Sequence, residues 1–239
     1  MKTRYFFFLF LLISCQKPKS EPQITHKIPE ETTAIIVKEA FLKTDTISIS
    51  GDGETSENYI LAHLLDQKAD KDSILTAKYQ LDFYQNKKKA ASSKISVTGY
   101  EKGSGFYSIV GLGRESIKNS SFIQLDFGYP ACGYVHQNYL YYLKNNNLQL
   151  VHQWNVMTDS GWGSWVEFVN PGEKADPEKF YCKSVSFEPE DNNDEMGTVS
   201  YSDSIVFSWS GNRWKKQLLS AKDKTYFEKK ISFNEFHGQ

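Results

Sequence analysis

The sequence predicts a mainly β fold of antiparallel meander strands, and three observations carry that expectation. The first is composition: 239 residues, 39% hydrophobic and 15% aromatic, with fourteen Tyr, sixteen Phe and five Trp against three Met. Aromatic and β-branched side chains pack well on a pleated, half-buried surface. The second is the stretch 135–156. If Asn145 and Asn146 form a two-residue turn, Leu143 faces Leu148, Tyr141 faces Leu150, Tyr139 faces His152 and Val135 faces Val156. One face is then nearly all apolar. The other is mixed, with His136, Asn138, Leu140 and Tyr142 against Gln149, Val151, Gln153 and Asn155. A slip of one residue would scramble the two sets, so the register is well specified, and Asn tolerates the positive φ of a type I′ turn. The third observation is a second hairpin of the same geometry. With Gly211 and Asn212 as its turn, Trp209 faces Trp214, Phe207 faces Lys216 and Ile205 faces Leu218, and Trp209 lies 66 residues beyond Leu143 in an equivalent place. Repeated strand, turn, strand units suit a propeller-like meander, and a β-sandwich accounts for them equally.

The length supports one sizeable core and does not require two. A formal net charge of −1 gives no field to attract nucleic acid, so a polyanion partner is not expected.

Taken in order, the chain opens with Lys2 and Arg4, an apolar run from Tyr5 to Ile13, and Ser14. That is the layout of a secretory signal, and the run is too short to span a bilayer. It closes on Leu12-Ile13-Ser14-Cys15, which resembles the lipobox of bacterial lipoproteins. The resemblance covers 1–15 only and implies lipidation of Cys15, a membrane anchor and a place in the cell envelope, at the outer membrane. The heavy use of Phe, Lys and Asn resembles lipoproteins of the Bacteroidetes group. Several acyl chains on one Cys hold firmly where a single chain would be marginal. Removal of Lys2 and Arg4 with the signal takes the net charge from −1 to −3. Residues 16–32 begin QKPKSEPQITHKIPEE, whose prolines and mixed charges read as a flexible tether. A single β-rich domain is expected over 33–239.

Within it, Ala34-Ile35-Ile36-Val37 reads as a strand or a helix start, and Thr46 to Ser50 alternates as a strand. Gly51-Asp52-Gly53 breaks the chain. Ser56 then stands as N-cap before Glu57, Ile60, Leu61, Leu64 and Leu65, whose spacing predicts one short N-terminal helix, with a strand over 59–65 as the rival. Further strands are expected over 74–85, 95–101, 106–112, 122–127, 166–169 and 180–187. Residues 86–93, 102–105 and 170–178 read as loops. Gly128-Tyr129-Pro130-Ala131-Cys132-Gly133 ends regular pairing before the central hairpin.

Catalytic signatures are sparse. Gly99, Gly103 and Gly105 lack the Lys and helix of a phosphate loop, and Gly161-Trp162-Gly163-Ser164 lacks the spacing of a nucleophile elbow. Cys132 and His136, four apart, could share a strand face as thiol and base, but Gly133 interrupts the strand. His136 and His152 project from opposite faces in the expected register, which argues against shared zinc ligation. The acidic run Glu188, Glu190, Asp191, Asp194, Glu195 offers hard oxygens without calcium-loop spacing and reads as a solvated loop tip. No catalytic residue, metal or cofactor is assigned. Cys132 and Cys182, the two cysteines left after Cys15, are expected to pair in an oxidising compartment, a bridge worth roughly 4 kcal/mol. Trp154, Trp162 and Trp165 are the candidate ligand-binding residues, since exposed flat rings serve as platforms for sugars and protein hot spots. Trp162, between two glycines, is the foremost of them. The expected function is therefore non-enzymatic binding of a protein or glycan by a lipid-anchored envelope protein. An envelope hydrolase using two unidentified carboxylates and a structural or inhibitory envelope protein are the alternatives.

Overall fold

Strand follows strand through the computed structural model, which describes residues 41–49, 57–117, 119–172, 174–191 and 193–238. Cys15, the tether and the segment 34–37 lie outside the described residues. Four strands, β1 (Lys43–Ser48), β2 (Tyr59–Ala69), β3 (Leu75–Gln85) and β4 (Lys88–Thr98), form one sheet in chain order. The second sheet runs in order from β5 (Gly105–Val110) through β6 (Phe122–Gly128), β7 (Val135–Lys144), β8 (Asn147–Asp159), β9 (Trp162–Val169), β10 (Lys179–Glu190) and β11 (Asn193–Trp209) to β12 (Trp214–Leu218). A last strand, β13 (Phe227–Ser232), pairs the other half of β11 at Met196 to Tyr201, and the short helix α1 (Phe233–His237) follows it. Every pairing is antiparallel.

The long sheet divides at β8 and β9, which pair only at Met157–Ser164, Thr158–Gly163 and Asp159–Trp162 before they splay apart. The chain is thus three consecutive four-stranded meanders, β1–β4, β5–β8 and β9–β12. Each ends in a hairpin whose two turn residues have positive φ, from 49° to 61°: Asn86 and Lys87, Asn145 and Asn146, Gly211 and Asn212. The two sequence copies of that hairpin are therefore the second and third of a set. Neighbouring meanders pack face to face. Ile60, Ala62, Leu81, Phe83 and Val97 of the first meet Leu125, Phe127, Tyr139, Tyr141 and Leu143 of the second. Phe122, Leu140, Tyr142 and Val151 of the second meet Phe180, Cys182, Phe207 and Trp214 of the third. The arrangement is that of propeller blades, but three are fewer than the four to eight that usually close a ring. The outer face of the third meander is covered instead by β13 and α1, with Phe233 and Phe236 against Val185, Phe187 and Val199. On the outer face of the first, Lys89, Ser92 and Gln80 donate to Asp82, and His63 lies 3.4 Å from it. Burial alone would raise the Asp82 carboxyl, yet those donors hold it below the usual carboxylate range.

Three expectations are corrected by this structure. The amphipathic pattern after Ser56 belongs to β2, not to a helix. Ile60, Ala62 and Leu64 alternate into the core, and a short apolar run fits either period until its partners decide. Residues 88–93, expected as loop, open β4. Their Lys and Ser side chains are those of an outermost strand, where charge discourages pairing with other chains. The central hairpin has its expected turn and pairs Leu143 with Leu148 and Tyr141 with Leu150, but a bulge at Val151 moves the rest by one. Tyr139 then faces Gln153, Leu140 faces His152 and Val135 faces Met157. Nor is the mixed face of β7 a solvated one, because Leu140 and Tyr142 are core residues of the second interface.

Candidate functional site

Where β8 and β9 separate, the second and third meanders leave an open cleft of about 630 Å3. Its walls come from Ile109 on β5 with Leu112, Gly113 and Arg114 just after it, Gln124 on β6, Asn138 on β7, Trp154, Val156 and Thr158 on β8, Gly161 in the turn that follows, Trp165 to Phe168 on β9, and His237 of α1. The aromatic side is rigid. Trp154 packs edge-on against Phe168 (centroids 5.3 Å, interplanar 81°) and is stacked with His152, while Trp165 is backed by Phe236. The polar side is tied down as well. The Gln124 amide donates to the carbonyls of Gly111 and Gly113 (3.0 and 2.8 Å), which fixes the loop after β5. Glu167 accepts from Trp165 Nε1 at 3.3 Å and lies 3.2 Å from Lys183 Nζ, with the Arg114 guanidinium 3.9 Å away.

Asn138 lies deepest among these polar groups. It is only 8% exposed, it lines the cleft, and its amide turns to the Asp126 carboxyl on the facing strand. Cross-strand from it sits Asp126, whose carboxyl is raised chiefly by burial. His136 and the neighbouring Asn138 amide oppose that rise without cancelling it.

The same region holds Cys132 and His136, which line a second cavity of about 310 Å3. Val156 and Thr158 line both cavities. His136 Nδ1 is 2.8 Å from Asp126 Oδ1 and Nε2 is 2.9 Å from the Tyr129 carbonyl. Whichever group holds the shared proton, neither ring nitrogen remains to act as a base toward Cys132. Gly128 permits this arrangement, since a Cβ there would collide with the His136 ring. The bulge at Val151 puts His152 opposite Leu140, on the same face of the hairpin as His136, and not on the opposite face as expected. The two still engage separate partners, and no group of three His, Cys, Asp or Glu side chains able to hold a metal occurs among the described residues.

Two of the three tryptophans singled out by sequence meet in the cleft, Trp154 and Trp165. Trp162 does not. It stacks on Phe187 (4.4 Å) and Phe233 (5.0 Å) under α1, in space that Gly197 leaves free of a side chain. Its glycine neighbours serve the tight β8 to β9 turn and not exposure. The expected bridge between Cys132 and Cys182 is also corrected. Both thiols are free: Cys132 is exposed on the loop before β7, whereas Cys182 points from β10 into the core between the second and third meanders. Burial pushes the Cys182 thiol up to about 12. Asn138, Gln124, Arg114 and Glu167 carry no motif, and Asn138 was visible in the sequence only as a polar residue on the mixed face.

No family model matches the sequence, and no curated protein matches it. Among solved structures, the chain is similar to the β-propeller domain of Nup133 from Vanderwaltozyma polyspora, at 11% identity over 84% of this chain and 51% of that one, with a TM-score of 0.22. The chain spans about half the length of that structure, and a likeness this loose bears on neither the site nor its use.

Proposed function

We propose that the chain is a non-enzymatic, lipid-anchored protein of the bacterial cell envelope that binds a glycan in the cleft between its second and third meanders. The observation that carries this reading is the cleft itself, in which Trp154 is paired with Asn138 near Gln124, and Trp165 with Glu167 and Arg114, so that aromatic rings and fixed polar groups line one opening. Sugar rings present apolar C–H faces and polar edges, and a site combining a few fixed polar groups with aromatic walls matches both. Support for the envelope comes from the order of Lys2, Arg4, the apolar run and Cys15. A binding role fits the chemistry better than catalysis because the one acid–imidazole pair beside the cleft, Asp126 and His136, is closed by its own hydrogen bonds.

Calorimetric titration of the purified protein with a panel of soluble oligosaccharides tests the reading. A saccharide should bind, and Trp154→Ala and Trp165→Ala should each weaken it roughly tenfold or more, the usual worth of a stacking ring. Absence of binding across the panel, or binding indifferent to both substitutions, would remove the glycan reading.

A further inference from the structure

We infer that the site takes a chain of sugars and not one or two rings: the cleft is the middle of three successive cavities along β8, and its ligand is an uncharged oligosaccharide that occupies all three. The inference rests on the glycan reading and goes beyond it by giving the length of ligand recognised. His152, Trp154, Val156 and Thr158 are alternate residues of β8 and so lie on one face of it. Val156 and Thr158 wall both the cleft and the cavity of about 310 Å3 beside Cys132 and Tyr134. In the other direction, Trp154 and Val166 wall both the cleft and a third cavity of about 420 Å3, which His152 lines with Cys182 of β10 and Lys216 of β12. From His152 to Thr158 the strand rises about 20 Å, several times the length of one sugar ring.

The two end cavities suit that ligand. The one beside Tyr134 is preformed, because the Gly133 N–H donates to the Thr158 carbonyl at 3.0 Å and the Ala131 N–H to the Tyr129 carbonyl at 2.8 Å. His136 Nε2 lies 2.9 Å from that same Tyr129 carbonyl, which ties the loop to β7. Tyr134 is 42% exposed and rests against Tyr129, with ring centroids 4.8 Å apart, so it offers this end an aromatic surface as Trp154 and Trp165 do the middle. A ring already held on a fixed loop stacks on a sugar with little ordering cost. Around the third cavity the charges are of both signs, Asp203 and Asp223 with Lys216 and Lys222, and select neither an anionic nor a cationic chain. Once one ring is seated in the cleft, the rings linked to it meet the neighbouring cavities at high effective concentration. Affinity then climbs with chain length until the cavities are filled.

Calorimetry of the full-length protein tests this with β-1,4-linked glucose and β-1,4-linked N-acetylglucosamine oligomers of two to six units, and with oligomers of any other panel sugar that binds. Within a series that binds, the hexamer should bind at least about tenfold more tightly than the dimer. Tyr134→Ala and Lys216→Ala, one at each end, should each cut that hexamer-to-dimer ratio at least about threefold. In the Cys15→Ala form, a bulky maleimide on the exposed Cys132 should cut it likewise without any change to the folded chain, since Cys182 is buried. Equal affinity from dimer to hexamer overturns the inference while leaving the glycan reading standing. A length gain untouched by Tyr134→Ala or by Lys216→Ala overturns it too. Failure of every saccharide to bind would instead overturn the underlying reading.

Discussion

His152 stacks on Trp154 and lies against Phe207 in the interface between the second and third meanders, and its Nδ1 has no partner. Burial, with Lys216 adding repulsion, lowers its pKa to about 4. Since the unfolded chain takes up that proton first, near pH 6.5, stability is lost as pH falls from about 6.5 and the loss is complete near 4. A shift of that size makes the full loss about 3 kcal/mol. Asp126 has the opposite sign: its folded pKa is raised, so folding gains from its protonation as pH falls. Comparing wild type with His152→Leu in urea melts at pH 7 and pH 4.5 separates the two. The variant should lose clearly less on acidification, and an equal loss would show that His152 is not the buried group responsible. The cysteines give a second residue-scale prediction. In a Cys15→Ala form, a thiol reagent should modify Cys132 in the folded protein and Cys182 only on denaturation, whereas a bridge between them would leave both unreactive until reduction.

The three closing hairpins decide whether the meanders keep their register. Gly211 has φ of 60° and open space beyond its Cα, so Gly211→Val should cost roughly 1–3 kcal/mol through backbone strain alone. Asn145→Val, at φ 52°, should behave alike in urea melts, and so should Asn86→Val at φ 49°, in a turn that no sequence pattern marked. Gln149 joins two hairpins: its amide donates to the Trp214 carbonyl at 2.8 Å and its carbonyl accepts from the Trp214 N–H at 2.7 Å. Gln149→Ala should therefore destabilise by about 1–3 kcal/mol, as expected for backbone groups of a buried residue left unpaired, and a neutral result would mean that this clasp is solvated. Legibility in the sequence follows the same division. Turn residues with a conformational demand, Asn145, Asn146, Gly211 and Asn212, mark their hairpins because few residues accept positive φ. The bulge at Val151 leaves no such mark, since an inserted residue changes the register without changing the composition. The run Tyr59 to Leu65 is apolar enough to satisfy helix and strand periods together, and only its pairing with β1 and β3 selects one. Lys88 to Ser93 reads as loop because an outermost strand is deliberately polar.

At the scale of the whole molecule, the cleft follows from topology more than from any motif. Two meanders stay joined by only three residue pairs between β8 and β9, and the splayed remainder exposes Trp154, Trp165 and Asn138 to one opening. Sequence could name the two tryptophans from their type, but it could not gather Asn138, Gln124 and Glu167 from three strands, nor show that Trp162 turns inward to Phe187 and Phe233. The proposed anchor makes its own prediction at this scale: with its signal, the protein should partition into detergent, and Cys15→Ala should abolish that. The cleft itself is tested most directly by hydrogen–deuterium exchange of the full-length protein with and without a bound oligosaccharide. Protection is expected at Ile109 to Arg114, along Trp154 to Thr158 and across Trp165 to Phe168, with the outer strands β1 and β4 unchanged. Protection confined to the first meander, or to β13, would contradict a glycan site between the second and third meanders.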